Sequence, residues 1–462
     1  MRRRAFLSLV LASACGGSAP ELALTIREPA DRRLFASIAS LHLRAERDGS
    51  ALAERVFDPT ASRVLLTGLP YGEHTAIVLE GETAAGDVVA RGRTCLFDLT
   101  ARGGPGPRTV ALSFAPTNAF APTLGAPAAT RTDASVWSLP DGDILVGGGA
   151  IGGIAAASVE RYVVAASSFV PAALASFAHA RRGAEVTVVD GIGTLVTGGL
   201  GVDGGAIASA ELYRVDTGQF VSIDNAALEA RAGHRAIALP VDRVLLTGGA
   251  TSASGAALGT TAIVRLQPDG TATASVGPSL VHARRDHAAV VASGVPVLIG
   301  GYGSDGNPLA SIEALVPSNQ GTSGAFAEIA TLRTARAQST ASLLNDGTIL
   351  VVGGARDSAG TPLLDAEVYN PVAGVTTVFP LAAARRGHSA TTLPDGRVLI
   401  VGGVGDGGEV LSSVELFIPS VGFVSERPLA NARVGHRAIP LCDGTVLVVG
   451  GGGGAEVYTP PP

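Results

Sequence analysis

Few residues of this chain carry a charge. Lys, Arg, Asp and Glu make up 16% of its 462 residues, with 34 basic against 40 acidic side chains and a formal charge of -6. No basic patch offsets that balance, which removes nucleic acid from the candidate partners. Cysteine is scarcer still, with three residues. None has the closely spaced partners of a zinc or dithiol redox motif. Cys95 and Cys442 lie in different domains and read as two separate, small, semi-buried residues; an inter-domain disulfide between them is the open alternative, without support in the sequence. The chain also lacks a nucleophile motif, paired catalytic acids and a complete set of metal ligands. What it has in excess is glycine, 61 residues, within a composition that is 46% hydrophobic. Apolar residues interrupted this often by glycine describe a soluble, turn-rich, all-β protein.

The opening MRRRAFLSLVLASACGG places three arginines before an apolar run from Ala5 to about Ala14 and then small residues, which is the layout of a secretory leader. The run is too short to span a bilayer. Ala-Ser-Ala directly before Cys15 resembles a bacterial lipoprotein signal, in which that cysteine becomes the lipidated N-terminus. Such signals usually carry Leu three residues before the cysteine, where Ala12 stands here. The resemblance implies a signal peptide over 1–14, a lipid on Cys15 and an exported envelope protein that meets the membrane only through that anchor. Plain secretion and a twin-arginine route remain the alternatives.

The length exceeds what one ordinary core supports, so a small domain plus a repeat array is expected. Residues 21–115 hold short segments such as LHLRAE from Leu41 and HTAIVLEG from His74, alternating at period two between turns. They predict a small antiparallel β-sandwich of immunoglobulin-like shape, with the role of a spacer. From residue 119 to 462 the chain repeats. Seven stretches begin at Arg131, Arg181, Arg231, Arg284, Arg336, Arg385 and Arg433, 48 to 53 residues apart, and RRGHSATTLPDGRVLIVGG from Arg385 is representative. In each, an alternating strand leads through a tight turn to a nearly continuous apolar strand ending in Gly-Gly. SVERY at Ser158 and its counterparts supply a third strand and segments such as that around Phe220 a fourth, so one unit is one four-stranded blade. The seventh unit ends without a fourth strand. Residues 119 to 130 match the missing segment, Phe120 standing eleven residues before Arg131 as Phe220 does before Arg231. This N-terminal strand should therefore close the ring.

Two positions recur with polar residues. Arginine opens all seven units, and glutamate sits in the third strand of six, as Glu160, Glu211, Glu313, Glu367, Glu415 and Glu456. A guanidinium and a carboxylate repeated at one depth predict one partly buried structural ion pair per blade, with one arginine at blade three, Arg231 or Arg284, left without its partner. Three residues after the arginine stand His234, His287, His388 and His436, four of eight histidines at one site. Imidazoles near the propeller axis could face a central funnel and a ligand there; recurrence as packing and hydrogen-bonding elements is the competing reading. Arg182, Arg285, Arg386 and Tyr302 fall on the same face and are candidates for a carbohydrate- or carboxylate-binding funnel.

The pattern ARxGHxxxxLPDGxVLVVGG followed by SxExY resembles bacterial kelch repeats and the seven-bladed central domain of galactose oxidase, and covers 119–462. It implies a seven-bladed kelch-type β-propeller. The oxidase resemblance would also imply copper held by histidine and tyrosine and a tyrosine cross-linked to cysteine. No unit has tyrosine at or just before the His388 or His436 position, and Cys442 lies in a hairpin turn, so no cofactor or metal is expected. The reading that follows is a non-catalytic binding or scaffolding protein of the bacterial cell envelope that presents a propeller face to a protein or glycan. An exported enzyme working in the funnel, either a metal-dependent oxidase or a sugar-modifying one, is the alternative.

Overall fold

The computed structural model describes residues 8–11, 22–27, 36–60, 69–99, 108–171, 176–317 and 324–461. Cys15 and the expected leader, apart from Ser8–Leu11, lie outside the described residues. Residues 119–461 form a β-propeller of seven four-stranded antiparallel sheets. Blade one is typical: Ser135–Ser138, Ile144–Gly147, Val159–Val163 and Ser168–Pro171 lie side by side in that order. The first strands of successive blades touch one another around a circle, and the first strand of blade seven, His436–Pro440, touches that of blade one.

The second strands are apolar over most of their length because both of their faces are covered. In blade five, Ile349 and Val351 pack toward blade four while Leu350 and Val352 pack toward blade six. All four are completely buried. Seven such clusters, one between each pair of neighbouring blades, make up the core of the ring. A strand buried on both faces loses the polar/apolar alternation of a half-exposed one.

The Gly-Gly pair after each second strand is where the next blade enters. Gly198 and Gly199 have φ of 55° and 90°, and a Cβ on Gly198 would come within 2.3 Å of the Arg231 carbonyl oxygen. Only glycine combines that backbone with that approach. The second glycine of each pair donates its N–H to the carbonyl of the next blade's leading arginine, as Gly199 does to Arg231 at 3.0 Å. The last link, Gly451 to Arg131 at 2.7 Å, joins blade seven to blade one. Blade seven itself is made from both ends of the repeat region. Ala119–Pro122 pairs antiparallel with Glu456–Thr459, Phe120 opposite Tyr458, and their rings lie 5.0 Å apart. No strand edge is then left open between first and last blades.

Upstream, a sheet ordered Ser50–Phe57, Ser40–Arg47, Gly72–Glu82, Val88–Arg93 and Ala115–Pro116 accompanies a second, smaller one in which Leu22–Arg27 runs parallel to Arg108–Ser113. Leu24, Ile26 and Leu112 of the smaller sheet share one buried cluster with Leu41, Leu43, Ile77 and Leu79 of the larger. The segment after Arg93 lies against the hairpin between the first two strands of blade seven, and there Cys95 is bonded to Cys442, with Cα atoms 4.9 Å apart. This corrects the expectation of two separate cysteines. A bond across 347 residues leaves no local trace in sequence, since the pairing depends on where two independently formed hairpins meet. Closing so long a loop restricts the unfolded chain, so Cys442→Ser, or reduction, should lower unfolding free energy by about 2–4 kcal/mol. Denaturant melts with and without reductant will read this out, and identical midpoints would contradict it.

Candidate functional site

The repeated arginine is a buried five-donor fork whose acceptors are all supplied by its own blade. In blade one, Arg131 Nη1 donates to the carbonyls of Gly148 (2.8 Å) and Ser158 (3.1 Å), and Nη2 to Ser158 Oγ (3.0 Å) and Glu160 Oε1 (2.7 Å). The same Nη2–carboxylate contact joins Arg181 to Glu211, Arg336 to Glu367 and Arg385 to Glu415 at 2.7 Å, Arg433 to Glu456 at 2.8 Å, and Arg284 to Glu313. The other face of each glutamate accepts backbone N–H groups from the crossover entering that blade, as Glu367 does from Arg333 and Thr334 at 2.8 and 3.0 Å. Burial pushes the Arg181, Arg284 and Arg385 guanidiniums below their ordinary value, and the adjacent glutamates offset part of that shift.

Blade three departs from the pattern. Ala262 occupies the glutamate position, and Arg231 instead lies 3.6 Å from the exposed Glu229. Arg231 is the odd one out, because each arginine pairs within its own blade and Arg284 has Glu313.

The four histidines do not converge on the axis. Each is wedged between blades with Nε2 on a hydroxyl of the preceding blade: His234 on Thr197 (2.8 Å), His287 on Thr247 (3.0 Å), His388 on Thr340 (2.9 Å) and His436 on Ser389 (2.9 Å). His234 and His287 are fully buried, and only the edges of His388 and His436 reach the funnel lining. Of the four, then, only His388 and His436 reach the funnel, and the hydrogen bond across the blade interface is what all four share. A residue three after the arginine starts the first strand with its side chain turned into the blade interface, where the adjacent glycine pair makes room for the ring. Burial holds all four neutral, with His234 and His436 pushed down to about 3. Among the described residues no group of three or more His, Cys, Asp or Glu side chains could hold a metal ion.

What does open onto the axis is a funnel of about 600 Å³ at the end of the ring where the first strands begin. Arg182, Arg285 and Arg386, each one residue after a leading arginine, stand at its mouth. Tyr302 does not line it. Tyr302 is buried against Ala337 and Ala355, and the Arg285 guanidinium lies over its ring at 4.7 Å, a cation–π contact that fixes the arginine. Six further polar residues were not anticipated. Asp133, Asp286 and Gln338 follow a leading arginine by two positions, and Glu185, Arg235 and Arg437 follow one by four. Their signal was available in the register, since these positions vary between units whose flanking residues recur.

The rim is a hydrogen-bonded belt. Gly183 N–H donates to Asp133, Asp286 to Gly233, Gln338 to Asp286, Gly387 to Gln338 and Asp133 to Gly435, between 2.6 and 3.1 Å. All seven rim residues have positive φ, from 51° to 66°, and Asp133, Asp286 and Gln338 hold it without being glycine. Such conformations carry a cost, and here they aim polar side chains at the funnel.

The class of protein defined by this ring is the β-propeller. The sequence matches no protein-family model and no curated protein. Among solved structures, that titled "Structure of YjhT" is similar with a TM-score of 0.50 and 16% identity, over 66% of this chain and all of that one, a likeness of fold alone.

Removing Glu415, the one carboxylate paired with the buried Arg385 among the described residues, would strand that charge, so Glu415→Ala should cost about 3–5 kcal/mol. Glu229→Ala, which removes an exposed carboxylate, should cost less than about 1 kcal/mol. Equal losses in denaturant melts would refute a buried pair. The histidines set a pH dependence. Their folded pKa lies below the unfolded value near 6.5, so their contribution is complete above pH 6.5 and lost as pH falls toward 3. Stability should decline across that window, less steeply in His436→Gln, and an unchanged slope would rule out a buried neutral ring.

Proposed function

We propose that this chain is a non-catalytic binding protein of the bacterial cell envelope, a kelch-type propeller that presents its funnel face to a protein or glycan. The observation that carries the reading is the funnel itself: five arginines against three carboxylates on an open concave surface. The Thr340 and Ser389 hydroxyls in its lining are engaged by the buried, neutral rings of His388 and His436 between blades. A concave site with convergent polar groups is the default location for a ligand. The lipoprotein-like leader supports export, with Cys15 as the lipid anchor and the membrane met only through it. The Cys95–Cys442 disulfide supports an oxidising compartment. The N-terminal unit meets the hairpins at the far end of the first strands, where Cys442 and Asp443 lie, and leaves the funnel mouth clear. That arrangement suits a spacer, as the immunoglobulin-like reading of residues 21–115 would have it.

Purified residues 16–462 should carry no stoichiometric transition metal by elemental mass spectrometry and should bind an envelope glycan or protein through the funnel face. Arg182→Glu should weaken that binding, and Arg243→Glu, on the opposite hairpins, should not. A bound metal lost on replacing His388 and His436 would favour the alternative, an exported enzyme, and equal effects of the two charge reversals would rule out the funnel face as the binding surface.

A further inference from the structure

The funnel's five arginines are not equivalent. Arg285 is spent on Asp286, Nη1 to Oδ2 at 2.6 Å, and on the Tyr302 ring. Arg235 is spent on Glu185 at 2.7 Å and on the His287 carbonyl at 2.8 Å. Arg182 lies 4.0 Å from Asp133. These contacts use all three carboxylates. Arg386 reaches only a neutral acceptor, Gln338 Oε1 at 3.0 Å, and its buried Nε has no partner. Arg437 makes no hydrogen bond and no ion pair among the described residues. Its nearest compensation is the field of Glu185, whose carboxyl burial alone would raise but Arg235 and Arg437 together hold below the usual range.

Arg386 and Arg437 belong to adjacent blades, six and seven, and line one cavity, Arg386 preceding the first strand of its blade and Arg437 standing in the first strand of its own, His436–Pro440. Gly387 and Gly435 form the rim beside them. A Cβ on Gly387 would meet nothing closer than 3.8 Å, so the rim is open there, whereas one on Gly435 would come within 2.7 Å of Asp133 Oδ1. Two guanidiniums with no carboxylate in hydrogen-bond contact, in a concave protein wall, raise the local potential, and each offers a planar pair of donors matched to a carboxylate or phosphate.

We propose that Arg386 and Arg437 form an oxyanion site, which receives the carboxylate or phosphate group of a ligand lodged in the funnel. This deepens the binding reading above and rests on it: the anion is the group by which the funnel face recognises its partner. Arg182, Arg235 and Arg285, neutralised by their own carboxylates, shape the wall and orient the rest of the ligand. A cavity of about 600 Å³ has room for a ligand considerably larger than the anion.

The test is calorimetric titration of residues 16–462 with galacturonate, its uncharged counterpart galactose, and inorganic phosphate. At least one of the two anions should bind at one per chain, more weakly as salt is raised, and more tightly than galactose. Arg386→Gln and Arg437→Gln should each weaken that binding by about tenfold or more. Arg437→Lys should recover part of it and Arg243→Gln should change nothing, with wild-type melting curves certifying each fold. Preference for galacturonate identifies a carboxylate-bearing ligand, and preference for phosphate a phosphorylated one. The proposal is overturned if neither anion binds, if galactose binds as well as galacturonate, or if the double glutamine variant binds unchanged. A funnel-face partner that persists in that double variant would overturn this site while leaving the binding reading standing. Anion binding abolished by the double variant, with no funnel-face partner for the wild type, would overturn the binding reading alone.

Discussion

A charged group buried in the middle of each blade is the constraint around which this propeller is arranged. The guanidinium of each leading arginine is taken out of water, and that is tolerable only where most of its donors find acceptors at the right place; the buried Nε of Arg385 and of Arg433 is left without one. The glycine carbonyl at the end of the second strand, the hydroxyl and carbonyl preceding the third, and the glutamate within it are those acceptors. The glutamate in turn holds the crossover that brings the chain in from the previous blade. One ionic contact thereby fixes three strand ends and a loop. A buried ion pair adds little net stability; its consequence here is register, since a blade shifted by one residue would leave the charge without acceptors.

Several features follow from that register. With the arginine fixed, its own carbonyl is placed to accept from the preceding blade's second glycine, and the residue three further on is placed in the blade interface, where histidine or a small side chain fits. Residues one, two and four positions on are left facing the axis. The scaffold thus spends the positions that recur in every unit on itself and gives the less regular ones to the funnel. This is why the histidines are buried and neutral between blades, while the polar groups that line the funnel stand one, two and four residues after the leading arginine.

The upstream unit and the ring are tied twice, by the strand 119–122 that completes blade seven and by the bond between Cys95 and Cys442. Both ties act on the closing blade. A ring of nearest-neighbour contacts can open only where its two ends meet, and that is where a backbone ladder and a covalent link coincide. The funnel lies at the other end of the first strands, so what holds the ring shut does not obstruct the surface proposed to bind.

Period and spacing alone determined that this chain is all-β, that it repeats seven times, and where each blade begins, because a strand buried on both faces and a glycine pair at a close approach each leave a local pattern. The recurring arginine and glutamate were visible for the same reason. The tertiary structure decided what local pattern cannot carry. It put the histidines between blades, because the direction of a side chain at a strand's first residue depends on the neighbouring blade. It joined two cysteines that are remote in sequence. And it sorted five arginines into three paired with a carboxylate and two not, since charge balance is a property of distances between blades, which no spacing along the chain records.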